Sequence, residues 1–138
     1  MKKSIYIIAL SLISLVGCAQ QNNNVQDGNA ETSASATEDP KTIKRVSKAE
    51  FKSYLESHDN VQLVDVRTPG EFAGGGIEGA VNIDFNSATF EQDIQTLDKN
   101  GPVLIYCRSG GRSSKALKIF EANGFTNVLE LEGGFINW

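Results

Sequence analysis

The residues best suited to chemistry in this 138-residue sequence are Cys107-Arg108-Ser109-Gly110-Gly111-Arg112-Ser113. The apolar run from Pro102 to Tyr106 reads as a buried strand that delivers the cysteine, and a helix is expected to begin around Ser113. The thiol therefore sits where backbone N–H groups and the positive end of a helix dipole converge. Such a place favours the anion, and the thiolate is the form of cysteine that attacks. Gly110 and Gly111 let the backbone curl inward without a Cβ clash, while Arg108 and Arg112 offer forked donors to an oxyanion. An attacking group that is already ionised needs no general base. That suits a chain whose only histidine, His58, falls in an expected solvent-exposed turn. With one histidine and few thiols a metal site has poor support, and no cofactor is expected.

The surrounding elements must hold this loop. Thr42 to Val46 alternates as an edge strand should, and Ser47-Lys48-Ala49-Glu50 is a capping-box pattern before a helix marked by Phe51, Tyr54 and Leu55 and running to about Ser57. Val61 to Val66 is nearly continuous in apolar residues, as a strand covered on both faces would be. A short strand is expected at Ala80 to Ile83, a helix through Phe90, Ile94 and Leu97, and a further helix through Ala116, Leu117, Ile119 and Phe120. Asn127 to Leu131 is the last strand. Strands alternating with helices call for a single α/β domain built on a mostly parallel sheet with right-handed crossovers. Ligand sites of such sheets lie off the carboxyl ends of the strands, where both Asp65-Val66-Arg67 and Cys107 fall.

The first residues have a different character. Met1-Lys2-Lys3 is positive, Ile5 to Val16 is apolar but short for a membrane span, and Leu15-Val16-Gly17-Cys18 follows at once. This stretch resembles a bacterial lipoprotein signal. The resemblance implies cleavage before Cys18, lipidation of Cys18, and attachment to a membrane of the cell envelope; Ala19, where an Asp often marks inner-membrane retention, favours the outer membrane facing the periplasm in a two-membrane cell. A plain secretory signal or a short membrane anchor are the alternatives. Two or more acyl chains hold a protein on a membrane without a spanning helix. Gln20 to about Pro40 is polar, with Val25 as its one large apolar residue, and reads as a disordered tether. Loss of residues 1–17 removes Lys2 and Lys3, so the formal charge goes from 13 − 17 = −4 to 11 − 17 = −6. An acidic mature chain argues against a nucleic-acid partner. With Cys18 lipidated, Cys107 is the one thiol left, so an intrachain disulfide is excluded.

From Ile43 to Trp138 the residues resemble a rhodanese-like domain. The pieces are Asp65-Val66-Arg67 with Glu71-Phe72, Gly79-Ala80-Val81-Asn82-Ile83, the Cys107 to Ser113 loop, and Gly133-Gly134 with Trp138. The resemblance implies a parallel five-stranded α/β domain over residues 41–138 and a sulfurtransferase that carries a persulfide on Cys107. Its substrates would be thiosulfate, a polysulfide or a persulfide, and its acceptor a thiol or cyanide. Cys107 would be the catalytic residue, with Arg108, Ser109, Gly110, Gly111, Arg112 and Ser113 around the substrate. Asp65 and Arg67 would support the loop or meet substrate; the structural alternative, which is favoured, has Asp65 satisfying backbone groups and Arg67 paired with Glu71. Asn82-Ile83 and the Gly133-Gly134 to Trp138 closure are expected to serve packing. One departure is Gly76, where these domains often carry His before Ile-x-Gly-Ala, which puts local rigidity in question.

Two rivals remain. A phosphatase or arsenate reductase of related fold needs a Cys-x5-Arg ring, whereas here Arg112 follows four intervening residues, a ring sized for one sulfur atom. A rhodanese-like module that only binds, displayed at the membrane, is the second; such modules often lack the cysteine that this chain keeps.

Overall fold

The apolar run before Cys107 forms β4 (Val103–Tyr106), and all four of its residues are fully buried. The computed structural model describes residues 41–138, so the expected leader, the lipidated Cys18 and the tether up to residue 40 lie outside the described residues. On one side of β4 runs β5 (Asn127–Leu131), with β1 (Thr42–Val46) at the edge beyond it. On the other side runs β2 (Gln62–Asp65), with the two-residue β3 (Val81–Asn82) as the opposite edge. The order is β1-β5-β4-β2-β3 and every pairing is parallel, so the expected five-stranded α/β domain is the one observed. β2 and β3 are shorter than their apolar runs. Their ladders fade through single bonds, Val66 N–H to Tyr106 O at 2.9 Å and Ile83 N–H to Asp65 O at 3.0 Å.

Among the described residues, four α-helices accompany the sheet. α1 (Lys48–Ser57) is capped by Ser47, whose hydroxyl accepts from Glu50 N at 3.3 Å. The second half of the expected capping box is missing, because the Glu50 carboxylate is taken by Lys44 at 2.6 Å. α2 (Pro69–Ala73) is a short helix that carries the complete capping box, between Thr68 and Glu71, with proline at its start. α3 (Phe90–Asp93) gives way to a 3₁₀ turn at Ile94–Thr96 instead of continuing to Leu97 as one helix. There Thr96 Oγ1 donates to Asp93 O at 2.7 Å, a side-chain bond that competes with the helical ladder. α4 (Gly111–Ala122) begins two residues before the expected Ser113, because Gly110 at φ +90° supplies a left-handed start that an L-residue rarely adopts.

The pleat of β4 sorts the core into two halves, since successive side chains point to opposite faces. Val103, Ile105 and Cys107 pack with Val64, Val66 and Val128 under Phe90 and Ile94 and under Ala116 and Phe120 of α4. Leu104 and Tyr106 pack with Leu63, Leu129 and Leu131 under Phe51 of α1, joined by the partly buried Phe135 and Trp138 of the closing segment. Cys107 thus leaves the sheet on the α4 face. Any partner it has must come from that face or from the loop itself.

Candidate active site

The loop after β4 wraps its own cysteine. Cys107 is 1% exposed, and its sulfur accepts from Gly110 N at 3.2 Å and lies 3.4 Å from the Ser113 hydroxyl. Burial pushes the thiol pKa up, but the Ser113 hydroxyl and the backbone N–H groups of Ser113, Ser109 and Arg112 outweigh it, and the net shift is downward from the ordinary value. These donors point at the sulfur because α4 starts at Gly111, so the first turn of the helix has unsatisfied N–H groups aimed at the strand end. The loop donors thus converge on the sulfur.

The glycines differ in what they do. A Cβ on Gly110 would need φ +90° and would approach Gly133 N and Glu130 Oε1 at 3.3 and 3.5 Å. Gly111 has no neighbour within 4 Å of such an atom, so its lack of a side chain is not required by space. The pair Gly133-Gly134, read from sequence as core packing, proves to be a clamp on the loop. At Gly134 a Cβ would stand 2.5 Å from Cys107 O and 2.7 Å from Arg108 C and O. That close approach lets Phe135 N–H reach Cys107 O at 2.8 Å and Ile136 N–H reach Arg108 O at 3.0 Å. The chain's last residues therefore fix the carbonyls on the outer side of the loop, while its inner N–H groups face sulfur.

The arginines part company. Arg112 lies close to the thiol, and its guanidinium is held by Glu71 through two bonds of 2.7 Å each. Glu71 also accepts from Thr68 N and Thr68 Oγ1, and the Arg112 guanidinium holds its carboxyl down at about 2. Its place is set by the α2 capping box, whose pattern Thr68-Pro69-Gly70-Glu71 was available in the sequence. Arg108 and Ser109 are exposed, and the Arg108 guanidinium has no partner among the described residues.

Asp65 and Arg67 are brought together, but on the other face of the sheet. Asp65 stands in register with Tyr106, not with Cys107. Its carboxylate accepts from Arg67 N and Nε at 2.9 Å and from Arg67 Nη2 at 2.5 Å. The expected Arg67–Glu71 pair is therefore corrected: Arg67 binds Asp65, two residues away, and Glu71 binds Arg112. Arg67 also donates to Gly75 O at 2.6 Å and lies 4.4 Å from the Phe135 ring, so its reach to the thiol runs only through the segment that clamps the loop. Asn82 does more than pack, since its amide donates to Asp65 O and Arg67 O at 2.9 and 2.8 Å. At Gly76 a Cβ would meet the Tyr106 hydroxyl at 2.8 Å, and that hydroxyl accepts from Ile77 N at 3.0 Å. Burial of the phenol pushes its pKa up to about 12. Gly76 thus leaves room for a phenol that ties Ile77 to β4.

One member of the site escaped sequence reading. Glu130 of β5 is fully buried, accepts from Ser113 Oγ at 2.5 Å and from Arg45 Nε at 2.6 Å, and faces the thiol side of the sheet. The acid inside Val128-Leu129-Glu130-Leu131 was a visible signal, because a charge in the middle of a buried strand requires a partner.

Comparison with known proteins agrees with this arrangement. The family model of the rhodanese-like domain matches residues 47–138. A putative sulfurtransferase, YtwF, of Bacillus subtilis is 36% identical over 96 residues, which cover 70% of this chain and 90% of that protein. Thiosulfate sulfurtransferase GlpE of Pseudomonas aeruginosa is 33% identical over 97 residues, covering 70% and 84%. Among solved structures, the rhodanese-like domain protein of Staphylococcus aureus superposes with a TM-score of 0.62 at 35% identity, covering 70% of this chain and 91% of its own. The loop, the sheet order and these relatives converge: the chain belongs to the rhodanese-like domain family, among relatives that include sulfurtransferases.

Proposed function

We propose that the protein is a sulfurtransferase that moves sulfane sulfur from a polysulfide, persulfide or thiosulfate donor to a thiol or to cyanide through a persulfide on Cys107. The observation that carries this reading is the buried Cys107 sulfur, drawn toward the thiolate by the Ser113 hydroxyl and the N–H groups of its own loop. The thiolate attacks the outer sulfur of the donor; a Cys107 S–S bond forms, and the donor's S–S bond breaks with its electron pair leaving on sulfite or on the shortened thiolate. An acceptor thiolate or cyanide then attacks the outer sulfur of Cys107–S–S⁻, and the Cys107 thiolate is released. No external oxidant enters the cycle. The backbone donors that hold the first anion are equally placed for the second, one bond further out.

Arg108 is exposed and unpaired, so it is the guanidinium that an incoming oxyanion would meet first, whereas the fork of Arg112 is already occupied by Glu71. The expected role of Arg112 as a direct oxyanion ligand therefore requires exchange with Glu71. As for place, the charge, apolar run, small residue and cysteine of residues 1–18 support a chain lipid-anchored at Cys18 in the cell envelope.

The test is turnover by the full chain with thiosulfate and with a polysulfide, using cyanide or a small thiol as acceptor. Transfer that disappears in Cys107→Ser supports the proposal; transfer that persists in that variant, or none from either donor, overturns it. Envelope association lost in Cys18→Ser would support the anchor.

A further inference from the structure

Glu130 is a fully buried carboxylate that the sulfur-transfer steps leave without a role. It stands in β5 in register with Ile105 on one side and Arg45 on the other, so the pleat turns it to the face from which Cys107 emerges. The groups that meet it come from three elements. From β1, Arg45 Nε donates to Oε2 at 2.6 Å, and Arg45 Nη2 donates to Gly110 O at 3.2 Å. From α4, the Ser113 hydroxyl donates to Oε1 at 2.5 Å, and from the end of β4 the Cys107 sulfur lies on the far side of that hydroxyl at 3.4 Å. The remaining charged pair near the thiol, Arg112 with Glu71, is closed on itself.

Ser113 has one hydroxyl proton and two anions to give it to. A contact of 2.5 Å to a carboxylate oxygen is a charge-assisted hydrogen bond, whereas 3.4 Å to sulfur is a weaker arrangement. We infer that Glu130 is a positioning residue, held in place by Arg45, that competes with the Cys107 sulfur for the Ser113 proton and so weakens the one side-chain donor that the thiolate has beside the backbone N–H groups of its loop. A thiolate that lacks this donor is more basic and more nucleophilic. Arg45 serves twice, since it neutralises Glu130 and also holds the carbonyl of Gly110, the residue whose N–H binds sulfur. The inference rests on Cys107 as the reacting thiol.

The two partners predict opposite signs. In Glu130→Gln, Arg45 Nε requires an acceptor, so the amide oxygen turns to Arg45 and the amide NH₂ to Ser113, whose proton is released to sulfur; a negative charge near the thiol is lost as well. In Arg45→Met the cation is lost and Glu130 is left uncompensated. The experiment follows the pH dependence of iodoacetamide alkylation in the full chain, read on the Cys107 peptide by mass so that Cys18 does not contribute, with circular dichroism to confirm folding. The midpoint should fall by about one pH unit in Glu130→Gln and rise by a similar amount in Arg45→Met. In a Ser113→Ala background the effect of Glu130→Gln should shrink, because the hydroxyl it releases is gone. Unmoved midpoints, shifts of the same sign in both variants, or an undiminished effect without Ser113 would overturn the inference. Should Arg45→Met fail to fold, the Glu130→Gln and Ser113→Ala pair decides alone. Opposed shifts in a protein that transfers no sulfur would uphold this inference and defeat the sulfurtransferase reading.

Discussion

Asp65 and Glu130 are both fully buried carboxylates near the carboxyl ends of the strands that flank β4, and each is paired with an arginine. Their surroundings are nevertheless opposite. Asp65 shares its face with Tyr106 and is saturated by Arg67, two residues along the chain, in a pair whose side chains are 0% and 5% exposed. Glu130 shares its face with Cys107, spends one oxygen on Arg45 and the other on the serine beside the sulfur. The difference is one of pleat parity: a group at a strand end can serve a site only if it leaves the sheet on the side of the nucleophile. Asp65, the one visible in a recognisable motif, braces the loop from behind. Glu130, the one no motif announces, reaches the sulfur through the Ser113 hydroxyl.

The widest gap between the two should be in stability. Arg67→Ala leaves Asp65 as a buried, uncompensated charge and should cost about 3–5 kcal/mol in urea unfolding, with the alkylation midpoint of Cys107 nearly unmoved; a large midpoint shift with little destabilisation would erase the distinction between the faces. Gly134→Ala attacks the clamp on the Cys107 and Arg108 carbonyls. At φ +64°, with a Cβ pressed on Cys107 O, it should cost about 1–3 kcal/mol and slow alkylation of Cys107 together with it. A variant as stable and as reactive as the parent would show that the closing segment does not hold the loop.

A third, half-buried pair calibrates the first two. Glu71, held at about 2 by Arg112, sits below its ordinary 4.5, so its contribution is present above pH 4.5 and is lost as pH falls toward about 2. Because the pair is partly open to solvent, that contribution should be about 1 kcal/mol. In Arg112→Ala the acid limb of stability against pH should flatten over this range; an unchanged limb would mean the contact is not formed in solution. The smallest effect is expected at Gly111, where a side chain meets nothing: Gly111→Ala should raise stability by about 0.4–1 kcal/mol in thermal unfolding, whereas Gly110→Ala, at φ +90°, should lower it.

Much of this architecture could be read from residue order. The buried strand before Cys107, the alternation of strands and helices, and the loop of glycines and arginines all follow local periodicity and turn chemistry, which a sequence displays directly. What escaped depends on contacts between distant residues. Glu71 was assigned to Arg67, its neighbour in sequence, but the α2 capping box turns its carboxylate toward Arg112, 41 residues on. Glu130 meets Arg45 across 85 residues, in a partnership set by strand order, and strand order is a property of the whole sheet. Gly134 looked like packing because nothing local reveals that the chain's end returns to the Cys107 carbonyl.

The central claim is that Cys107 carries sulfur. It is tested most directly by incubating the full chain with a polysulfide, removing the excess, and weighing the Cys107 peptide before and after a small thiol is added. The account predicts a gain of one sulfur atom on that peptide alone, lost again to the thiol and absent in Cys107→Ser. A peptide that keeps its original mass after polysulfide and after thiosulfate would contradict it.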